Sequence, residues 1–455
     1  MDREAIPPSL LNSPRDTNRL AKASANAIKL KNDPIYAVLW NDYRPWRKIR
    51  IIAMDLGLDP YEVWDATKFQ RFLRSWMPSV RQNDGSPFSF SHDALVSAIV
   101  HRIDRATGGG GTVAFDSTRT GSIADEDRKL TFRIKTLMDE AAESSIIEGA
   151  AITRKNAVEM LRADRPPKTK GERMVVNNYL AMQQVKKWTD RPLTVEMLIE
   201  LQALLTNGTN PDEERGRLRQ SGEDVRVWDE RDNVPVYTPP PADQLPARLE
   251  ALCEFANNNH NEADFLHPLV KASILHFMIG YEHPFVDGNG RTARAIFYWY
   301  ALRHGYTIFE YLAISEIIRK GFAKYPQAYI DTELDQGDLT YFVVYKLRVI
   351  EQALDRLSQH LKQEQDRIDR SEAILKVARG INLRQRLLLE HSLRHSGTGY
   401  TVKSHANSNG TTLRTARADL QELVKLRLMI TSKRGKEAIY HVLPKLAERM
   451  RGSKA

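Results

Sequence analysis

The residues of this chain that are best suited to chemistry lie in one stretch of twelve, from His283 to Arg294. An imidazole such as that of His283 titrates near neutral pH and can accept a proton from a hydroxyl nucleophile. Asp287 offers the hard oxygen ligands that Mg²⁺ accepts when it bridges phosphates. Arg291 and Arg294, three positions apart, can hold phosphate oxygens with their guanidinium groups. A base, a metal ligand and cations are the parts that phosphoryl or nucleotidyl transfer needs.

A helix is predicted directly after this stretch. The run from Ala295 to Arg303 favours a helix, and Gly305 is typical of the residue that follows a helix end. The Gly-Asn-Gly turn at residues 288–290 therefore lies at a helix N-terminus, where backbone N–H groups and the helix dipole favour anions. Its glycines permit close approach to a phosphate and positive φ angles. Phe285 is expected to point inward and to anchor the loop.

The stretch resembles the signature of the Fic family, H-x-F-x-[DE]-G-N-G-R-x-x-R, with every fixed position matched. The resemblance implies that His283 is the base and that Asp287 carries Mg²⁺. The residues implied to contact the phosphates of ATP are Gly288, Asn289 and Gly290, as an anion hole, with Arg291 and Arg294 on the distal phosphates. Members of this family usually transfer AMP from ATP to a hydroxyl side chain of a target protein and release pyrophosphate.

A second segment, residues 136–149, has a helical composition and ends at a glycine. It is similar to the inhibitory motif of the same family, [ST]-x-x-x-E-[GN], through Ser144, Glu148 and Gly149. The resemblance implies an inhibitory helix on the N-terminal side of the catalytic motif. In that arrangement Glu148 pairs with Arg294 and occupies the space that the γ-phosphate needs, so that the α-phosphate is poorly aligned for attack.

Composition sets broad bounds on the protein. A chain of 455 residues is long enough for two or three domains, and 42% hydrophobic with 27% charged residues is typical of a soluble protein. The single cysteine, Cys253, excludes an internal disulfide framework and suits a reducing cytosol. The N-terminus shows no secretory segment, and no apolar run is long enough to cross a bilayer, so a cytoplasmic location is expected. The net charge of +9 permits nucleic-acid or acidic partners without requiring them.

The fold is predicted to be mainly α, in five segments. They are a helical N-terminal extension (1–105), a Gly-rich connector (106–129), a Fic catalytic domain (130–335), a long connecting helix (336–375) and a winged helix-turn-helix domain (376–455). The extension has two short helices around a turn at Asp59 and Pro60, which resembles the N-terminal cap of some longer Fic proteins. A DNA-binding helix-turn-helix is the alternative there. The glycine run 108–111 lacks a following Gly-Lys-Ser/Thr and is not a P-loop.

Two β-prone pieces, 224–228 and 234–237, flank a polar turn and predict a hairpin. In the resembling family a hairpin at this place is a flap over the active site, which aligns the target segment by strand pairing. A plain surface hairpin is the alternative interpretation.

Four histidines raise the question of a zinc site: His260, His267, His276 and His283. Their spacing does not match the short ligand pairs of zinc sites, and no cysteine cluster accompanies them. His276, on an apolar helix, is expected to be a core residue. Mg²⁺ is the only metal that the sequence requires.

The C-terminal segment has the order of elements typical of a winged helix. The predicted elements are helices at 383–395, 401–406 and 411–423 and a hairpin from 426–431 to 438–442 with a basic tip. A DNA-binding role would use Arg414, Arg417 and the residues Lys433 to Lys436 on phosphates and grooves. Protein contacts or dimerisation are the alternative.

Two functions remain open from the sequence. The first is an Mg²⁺-dependent protein adenylyltransferase that uses ATP, modifies a Ser, Thr or Tyr hydroxyl of a target protein or of itself, and is restrained by Glu148. The second is a DNA-binding transcriptional regulator with a Fic-like nucleotide-sensing core. Tyr298 stands where many relatives carry an asparagine near the adenine, so other donors stay open, as does removal of AMP by water. The long helix, 341–370, has heptad-like apolar spacing; it is expected to connect the catalytic core to the last domain and offers a seam for the homodimer that is expected.

Overall fold

The computed structural model describes residues 7–8, 17–32, 39, 42–108, 126–223, 225, 227–229, 234–258, 265–375, 381–394, 398–434 and 437–443. Within these residues the chain is mainly helical and its strands are short, which confirms the predicted fold class. The chain forms two compact units: the first is Met1–Gly110, Gln183–Tyr306 and Ile317–Gln352, and the second is Gly111–Met182, Thr307–Glu316 and Ala353–Ala455. The five segment boundaries predicted from the sequence stay predictions.

The helices, in chain order, are α1 (Thr17–Asn32), α2 (Trp46–Asp55), α3 (Pro60–Phe72), α4 (Ala94–Thr107), α5 (Glu126–Ile147), α6 (Arg154–Ala163), α7 (Lys170–Lys187), α8 (Val195–Leu205), α9 (Leu245–Asn257), α10 (Pro268–Glu282), α11 (Asn289–Arg303), α12 (Ile314–Lys320), α13 (Lys324–Leu334), α14 (Thr340–Leu375), α15 (Leu383–Arg394), α16 (Val402–Asn409) and α17 (Leu413–Lys425). The strands pair antiparallel as β1 (Ser75–Trp76) with β2 (Phe90–Ser91), β3 (Val227–Asp229) with β4 (Val234–Tyr237), and β5 (Gly399–Tyr400), β6 (Met429–Arg434) and β7 (Glu437–Val442) in the order β5–β7–β6. In the described part of the chain, no helix combines the length and apolar composition needed to cross a bilayer.

The two short helices predicted in the N-terminal extension are α2 and α3. Asp59 caps α3 by accepting the N–H groups of Tyr61 and Glu62, and Pro60 takes the first helical position, where no donor is needed. Residues 63–68 of α3 are all buried. A DNA-reading helix must present an exposed face to a groove, so this burial favours a packing role for α3 over a helix-turn-helix role.

Buried charges attach the extension to the rest of the first unit. The Lys68 ammonium lies 2.8 Å from an Asp335 carboxylate oxygen, and the Arg71 guanidinium donates to the Tyr341 hydroxyl at 2.5 Å. All four side chains are buried. Charged groups remain in a protein interior only when they are paired, so these contacts fix α3 against the end of α13 and the start of α14.

Helices α10 and α11 pack closely against each other in the first unit. Residues 269–279 of α10 and 291–301 of α11 are all buried. A helix that is covered on every side belongs to the core, which explains why both sequences lack a polar face. The pair therefore holds the loop between them, which carries the predicted catalytic residues, on a rigid base.

In the second unit, α5 contains the predicted inhibitory segment. The helix is longer than predicted, because it begins at Glu126 and ends at Ile147. Gly149 follows with a φ of +84°, and the Ala150 N–H donates to the Ser145 carbonyl at 3.0 Å, which closes the helix end as a glycine cap does. Helix α4 ends at Thr107 and α5 begins at Glu126, so both helices extend into the predicted connector 106–129, whose boundaries stay predictions; its centre, 109–125, lies outside the described residues.

Helix α14 matches the predicted long helix, but most of its apolar side chains are buried by other parts of the same chain. Most apolar side chains from Tyr341 to Leu361 are buried within the chain itself. This part of the helix is therefore not available as the seam of a dimer, which corrects the expectation drawn from its spacing. Dimerisation itself stays a prediction.

The predicted C-terminal elements are present as α15, α16, α17 and the hairpin of β6 and β7, and the short strand β5 is an element that was not predicted. Their shared core consists of Leu388, Leu389, Tyr400, Leu420, Leu423, Leu428, Met429 and Tyr440. Helix α16 also packs on α5 and α6 within the second unit. The winged-helix assignment stays an interpretation of this order of elements.

A polar network around Asp419 stabilises this C-terminal fold. The carboxylate accepts hydrogen bonds from Asn382 (2.6 Å) and Arg384 (2.8 Å) and lies 3.3 Å from the His405 ring. Burial alone would raise the pKa of Asp419, but the hydrogen bonds from His405, Arg384 and Asn382 outweigh it and lower that pKa to about 2.

Asp419→Ala is expected to destabilise the C-terminal fold by about 3 kcal/mol, because it leaves the buried His405 ring and the partly buried Arg384 guanidinium without their acceptor. In the native chain the stabilisation from ionised Asp419 is present above the ordinary carboxyl pKa, near 4. It is lost as the pH falls toward 2. Amide hydrogen exchange in peptides from 383–442 measures both effects. Glu422→Ala, at an exposed position of α17, the helix that also carries Asp419, should leave that exchange nearly unchanged.

Candidate active site

The loop between α10 and α11 places the predicted catalytic residues at two helix ends. His283 is the C-terminal cap of α10 with a left-handed φ of +45°, and Gly288 is the N-terminal cap of α11 with a φ of +91°. A Cβ on Gly288 would lie 3.2 Å from the Thr206 Cγ2 atom, so both the backbone angle and the space call for glycine. The Gly-Asn-Gly turn therefore does lie at a helix N-terminus, where the first N–H groups have no intrahelical acceptor.

His283 is oriented by a backbone carbonyl. Its Nδ1 atom lies 3.2 Å from the carbonyl oxygen of Gly280, one turn earlier in α10. A carbonyl can only accept, so in the neutral ring this hydrogen bond places the proton on Nδ1 and leaves Nε2 as the basic atom. The side chain is half-buried. This geometry is what a general base needs: a fixed ring with a defined basic nitrogen.

The loop is closed by Asn289. Its side-chain oxygen accepts the N–H of Phe285 at 3.0 Å, and its amide nitrogen donates to the carbonyl of the same residue at 2.8 Å. Phe285 is fully buried, which confirms the predicted inward anchor. Because the side chain of Asn289 is occupied by the loop, its contribution to an anion site must come from its backbone N–H.

Arg291 lies in the interior and contacts Asp287. This side chain is fully buried, and its guanidinium donates to the Leu205 carbonyl at 2.9 Å and to Asp287 at 3.1 Å. These contacts orient Asp287, whose side chain is 38% exposed and whose other oxygen accepts the Gly288 N–H at 2.6 Å. The predicted role of Arg291 on the distal phosphates stays a prediction.

The other predicted residues lie on the helices as expected. Arg294 is buried in the second turn of α11, and Gly290 follows the cap on its first turn. Ser144 is buried on the last turn of α5, and Glu148 is half-buried just after it. Glu148 belongs to the second unit and Arg294 to the first, and their predicted pairing stays a prediction.

Arg219 is a site residue that the sequence did not single out. Its Nε donates to the His283 carbonyl at 2.8 Å, and its backbone N–H donates to the Pro284 carbonyl at 2.9 Å. Its Nη2 donates to the carbonyls of Pro240 and Glu282. The side chain is 6% exposed, so it is an internal brace for the backbone on both sides of the base. No local pattern marks an arginine that lies 64 residues from the base it supports.

Gln202 provides a second brace from α8. Its amide nitrogen donates to the Asp287 carbonyl at 3.2 Å, and its side-chain oxygen accepts the Gly216 N–H at 2.7 Å. The residue is fully buried. It links the catalytic loop to the segment that carries Arg219.

The predicted hairpin is confirmed as β3 and β4, with Trp228 opposite Pro235. Its last residue, Tyr237, donates its hydroxyl to the Tyr281 carbonyl at 2.8 Å, and the two rings lie 5.3 Å apart. Tyr281 precedes His283 by two positions, so the C-terminal end of β4 is fixed beside the predicted proton acceptor. The flap role of the hairpin stays a prediction.

The histidines near the site have structural partners. His276 is fully buried with Nε2 2.8 Å from the Tyr325 hydroxyl, and burial, with the nearby cations Lys346 and Arg294, lowers its pKa well below the usual value. His267 caps α10 through the Leu269 N–H. His260 lies outside the described residues. The prediction that His276 is a core residue is confirmed.

Cys253 is buried, and burial raises the pKa of its thiol to about 12. A thiol that stays protonated near neutral pH is a poor nucleophile and a poor metal ligand. Cys253 therefore behaves as a core residue of α9 and contributes nothing to the site.

Comparison with known proteins finds a family match, similar relatives and similar solved structures. Residues 192–301 match the model of the Fic/DOC family. The chain is 26% identical over 186 residues to Protein adenylyltransferase Fic of Nematostella vectensis, which covers 39% of either chain. It is 28% identical over 197 residues to Protein adenylyltransferase and cysteine protease IbpA of Histophilus somni (strain 2336), over 40% of this chain and 4% of that one. A Fic family protein from Desulfovibrio desulfuricans G20 is similar in structure, with a TM-score of 0.48 and 21% identity over 78% of this chain and 98% of its own.

Proposed function

The chain contains a domain of the Fic family, and we propose that this domain is a protein adenylyltransferase. It transfers AMP from ATP to a Ser, Thr or Tyr hydroxyl of a target protein. The observation that carries the proposal is the orientation of His283, whose Nδ1 is held by the Gly280 carbonyl at the edge of an anion-attracting helix terminus. The names of the similar relatives, both protein adenylyltransferases, support the same chemistry.

In this mechanism the target hydroxyl gives its proton to Nε2 of His283 as its oxygen attacks the α-phosphorus of ATP. A new phosphorus–oxygen bond joins AMP to the target, and the bond to the β-phosphate breaks, which releases pyrophosphate. The N–H groups at the start of α11 stabilise the negative charge that builds up on the phosphate oxygens. Removal of AMP by water is a separate hydrolysis and remains an extension of the proposal. In it the water oxygen attacks the phosphorus of the AMP–target ester, the bond to the target oxygen breaks, that oxygen takes up a proton, and AMP is released.

The residues present fit Mg²⁺ only as an ion that arrives with the nucleotide. Among the described residues, no group of three or more His, Cys, Asp or Glu side chains is placed to hold a metal. Mg²⁺ is commonly held by one carboxylate together with substrate phosphates, and Asp287 is half-exposed and fixed by Arg291. When bound, the ion would neutralise phosphate charge.

We further propose that Glu148 restrains the reaction by pairing with Arg294 in place of the γ-phosphate. Support comes from the end of α5, where the glycine cap fixes the position of Glu148 just beyond the last helical turn. The hairpin of β3 and β4 is proposed to align the target segment by strand pairing, since its last residue is hydrogen-bonded beside the base.

The test of the proposed function is incubation of the full chain with α-labelled and γ-labelled ATP in separate reactions, followed by intact mass measurement. Adenylyl transfer adds 32P from α-labelled ATP to protein and leaves the γ-label in pyrophosphate. Label from γ-labelled ATP on protein would instead indicate phosphate transfer. Absence of protein-bound α-label with the Glu148→Gly variant, in the presence of a cell lysate as source of targets, would contradict the proposal.

Asp287→Asn is expected to lower transfer about 10²-fold at low Mg²⁺, equivalent to ~3 kcal/mol of lost transition-state stabilisation. Raising the Mg²⁺ concentration should restore part of the rate, because the variant binds the ion more weakly. Initial rates over a Mg²⁺ titration measure this. Asp243→Asn, at an exposed turn position, is the matched control and should follow the native titration curve.

Arg219→Ala is expected to lower kcat about 10²-fold with little change in KM for ATP, because it loosens the backbone that positions His283. Arg217→Ala is the control: Arg217 lies two residues away, but its guanidinium pairs with Glu223, at 2.5 Å. Steady-state measurements of kcat and of KM for ATP on both variants test this expectation. Equal kcat values for the two variants would show that Arg219 does not position the base.

A further inference from the structure

The positive charge of this chain is concentrated in its C-terminal fold. Residues 382–444 contain eleven Lys and Arg against four Asp and Glu, a net charge of +7 out of +9 for the whole chain. The remaining 392 residues are therefore close to neutral. A field of one sign on a small fold attracts a polyanion, so this fold rather than the catalytic unit is where such a partner would bind.

One face of α17 carries the exposed part of this charge. Residues Arg414, Arg417, Ala418, Gln421 and Lys425 recur at helical spacing, and all of them are exposed. The opposite face, through Ala416, Leu420 and Leu423, is buried in the core. The exposed face thus presents cations, an amide and a small apolar side chain, and near its C-terminal end the exposed acid Glu422 lies 3.4 Å from the Lys425 ammonium.

Acidic side chains are kept away from the N-terminal part of that face. Asp419 is the single acid between 413 and 421, and it is turned inward, with 4% exposure, onto Arg384 and Asn382. Leu413, in the first turn, is 57% exposed although it is a large apolar residue. An exposed leucine beside two arginines has no role in the core of the fold.

The elements next to α17 are a short helix, a tight turn and a two-stranded hairpin. Helix α16 precedes α17 through a three-residue turn, in which Thr412 caps α17 by accepting the Thr415 N–H. The strands β6 and β7 form a ladder of six residue pairs, from Met429 opposite Val442 to Arg434 opposite Glu437. Lys433, near the tip, is exposed.

We propose that this surface binds duplex DNA, with α17 in the major groove and the hairpin of β6 and β7 on neighbouring phosphates. Its thirteen residues make α17 about 20 Å long, and the major groove of B-form DNA, about 12 Å wide, admits a helix. The deep, narrow major groove of duplex RNA does not admit one. Arg414 and Arg417 reach phosphates or guanine edges, and Leu413 and Ala418 can contact thymine methyl groups.

DNA binding goes beyond the transferase proposed above and does not depend on it. The test is fluorescence anisotropy of a labelled duplex of about 20 base pairs, titrated with the full chain over a range of salt concentrations. Binding with a Kd of about 10⁻⁵ M at physiological salt is expected, and it should weaken as the salt concentration rises. A duplex RNA of the same sequence should bind at least about tenfold more weakly, because the helix cannot enter its groove.

The decisive variant is the double substitution Arg414→Ala and Arg417→Ala, which should weaken DNA binding at least about tenfold. The matched control is Lys186→Ala with Lys187→Ala, which removes the same charge from an exposed helix end elsewhere. Amide exchange in 383–442 should be unchanged in the double variant, since both arginines are exposed. No anisotropy change at about 50 mM salt, or equal weakening by the two double variants, would overturn the proposal. Tighter binding to RNA or to an acidic polypeptide than to DNA would also overturn it.

Discussion

Replacement of His283 by alanine is expected to lower AMP transfer by about 10²–10⁴-fold, the usual contribution of a positioned general base. The reason is geometric: Nδ1 is held by the Gly280 carbonyl at 3.2 Å, so Nε2 is the atom that can receive the hydroxyl proton. Nucleotide binding should change little, because the phosphates are proposed to contact backbone N–H groups of α11 instead. Initial rates and ATP affinity, each measured in the Glu148→Gly background, separate these two effects.

His101→Ala is the matched control for this variant. His101 is an exposed histidine on α4, so its loss removes the same side chain from a position without a role in the site. Its transfer rate should equal that of the parent. If His283→Ala keeps more than about a tenth of the parental rate, a proton acceptor other than this imidazole operates, and the proposed mechanism is wrong.

Local sequence was sufficient for the parts of the site that local rules control. The glycine requirement at 288, the inward Phe285 and the helix that follows them depend on spacing within a few residues. The hairpin of β3 and β4 was likewise predictable, because two short β-prone pieces around a polar turn pair with each other. The same holds for the cap of α3 at Asp59.

Residues whose role depends on distant partners were not predictable. The Leu205 carbonyl, 86 residues away, accepts a hydrogen bond from the Arg291 guanidinium in the interior, and no spacing within the motif indicates this partner. Arg219 and Gln202 have no local pattern that marks them as braces of the loop. The packing of α16 on α5 is also a long-range contact, in which a Cβ on Gly410 would lie 2.7 Å from Leu130. Spacing rules carry no information about such contacts.

The long helix α14 illustrates a different failure. Its heptad-like spacing is equally compatible with a helix pair between two chains and with burial inside one chain, because both cover the same stripe. Burial of most apolar residues from Tyr341 to Leu361 shows that the chain covers this stripe itself. The number of copies therefore has to be measured rather than derived from the pattern.

Glu148→Gly is expected to raise AMP transfer about ten- to a hundredfold. A charge-assisted hydrogen bond contributes about 1.5–3 kcal/mol, and each 1.4 kcal/mol corresponds to a factor of ten. If Glu148 and the γ-phosphate compete for Arg294, removal of the carboxylate lets ATP take the pose in which its α-phosphate is aligned. The substitution lies at the end of α5, next to Gly149, where the helix has already terminated, so it should cost little stability.

Two further variants separate charge from shape. Glu148→Gln keeps the size of the side chain and removes its charge, so it should raise the rate by a smaller factor than Glu148→Gly. Glu159→Gln makes the same change at an exposed position of α6 and should leave the rate unchanged. If Glu148→Gly and Glu148→Gln both transfer AMP at the rate of Glu159→Gln, while His283→Ala still abolishes transfer, the proposed activity is supported and the proposed restraint by Glu148 is wrong.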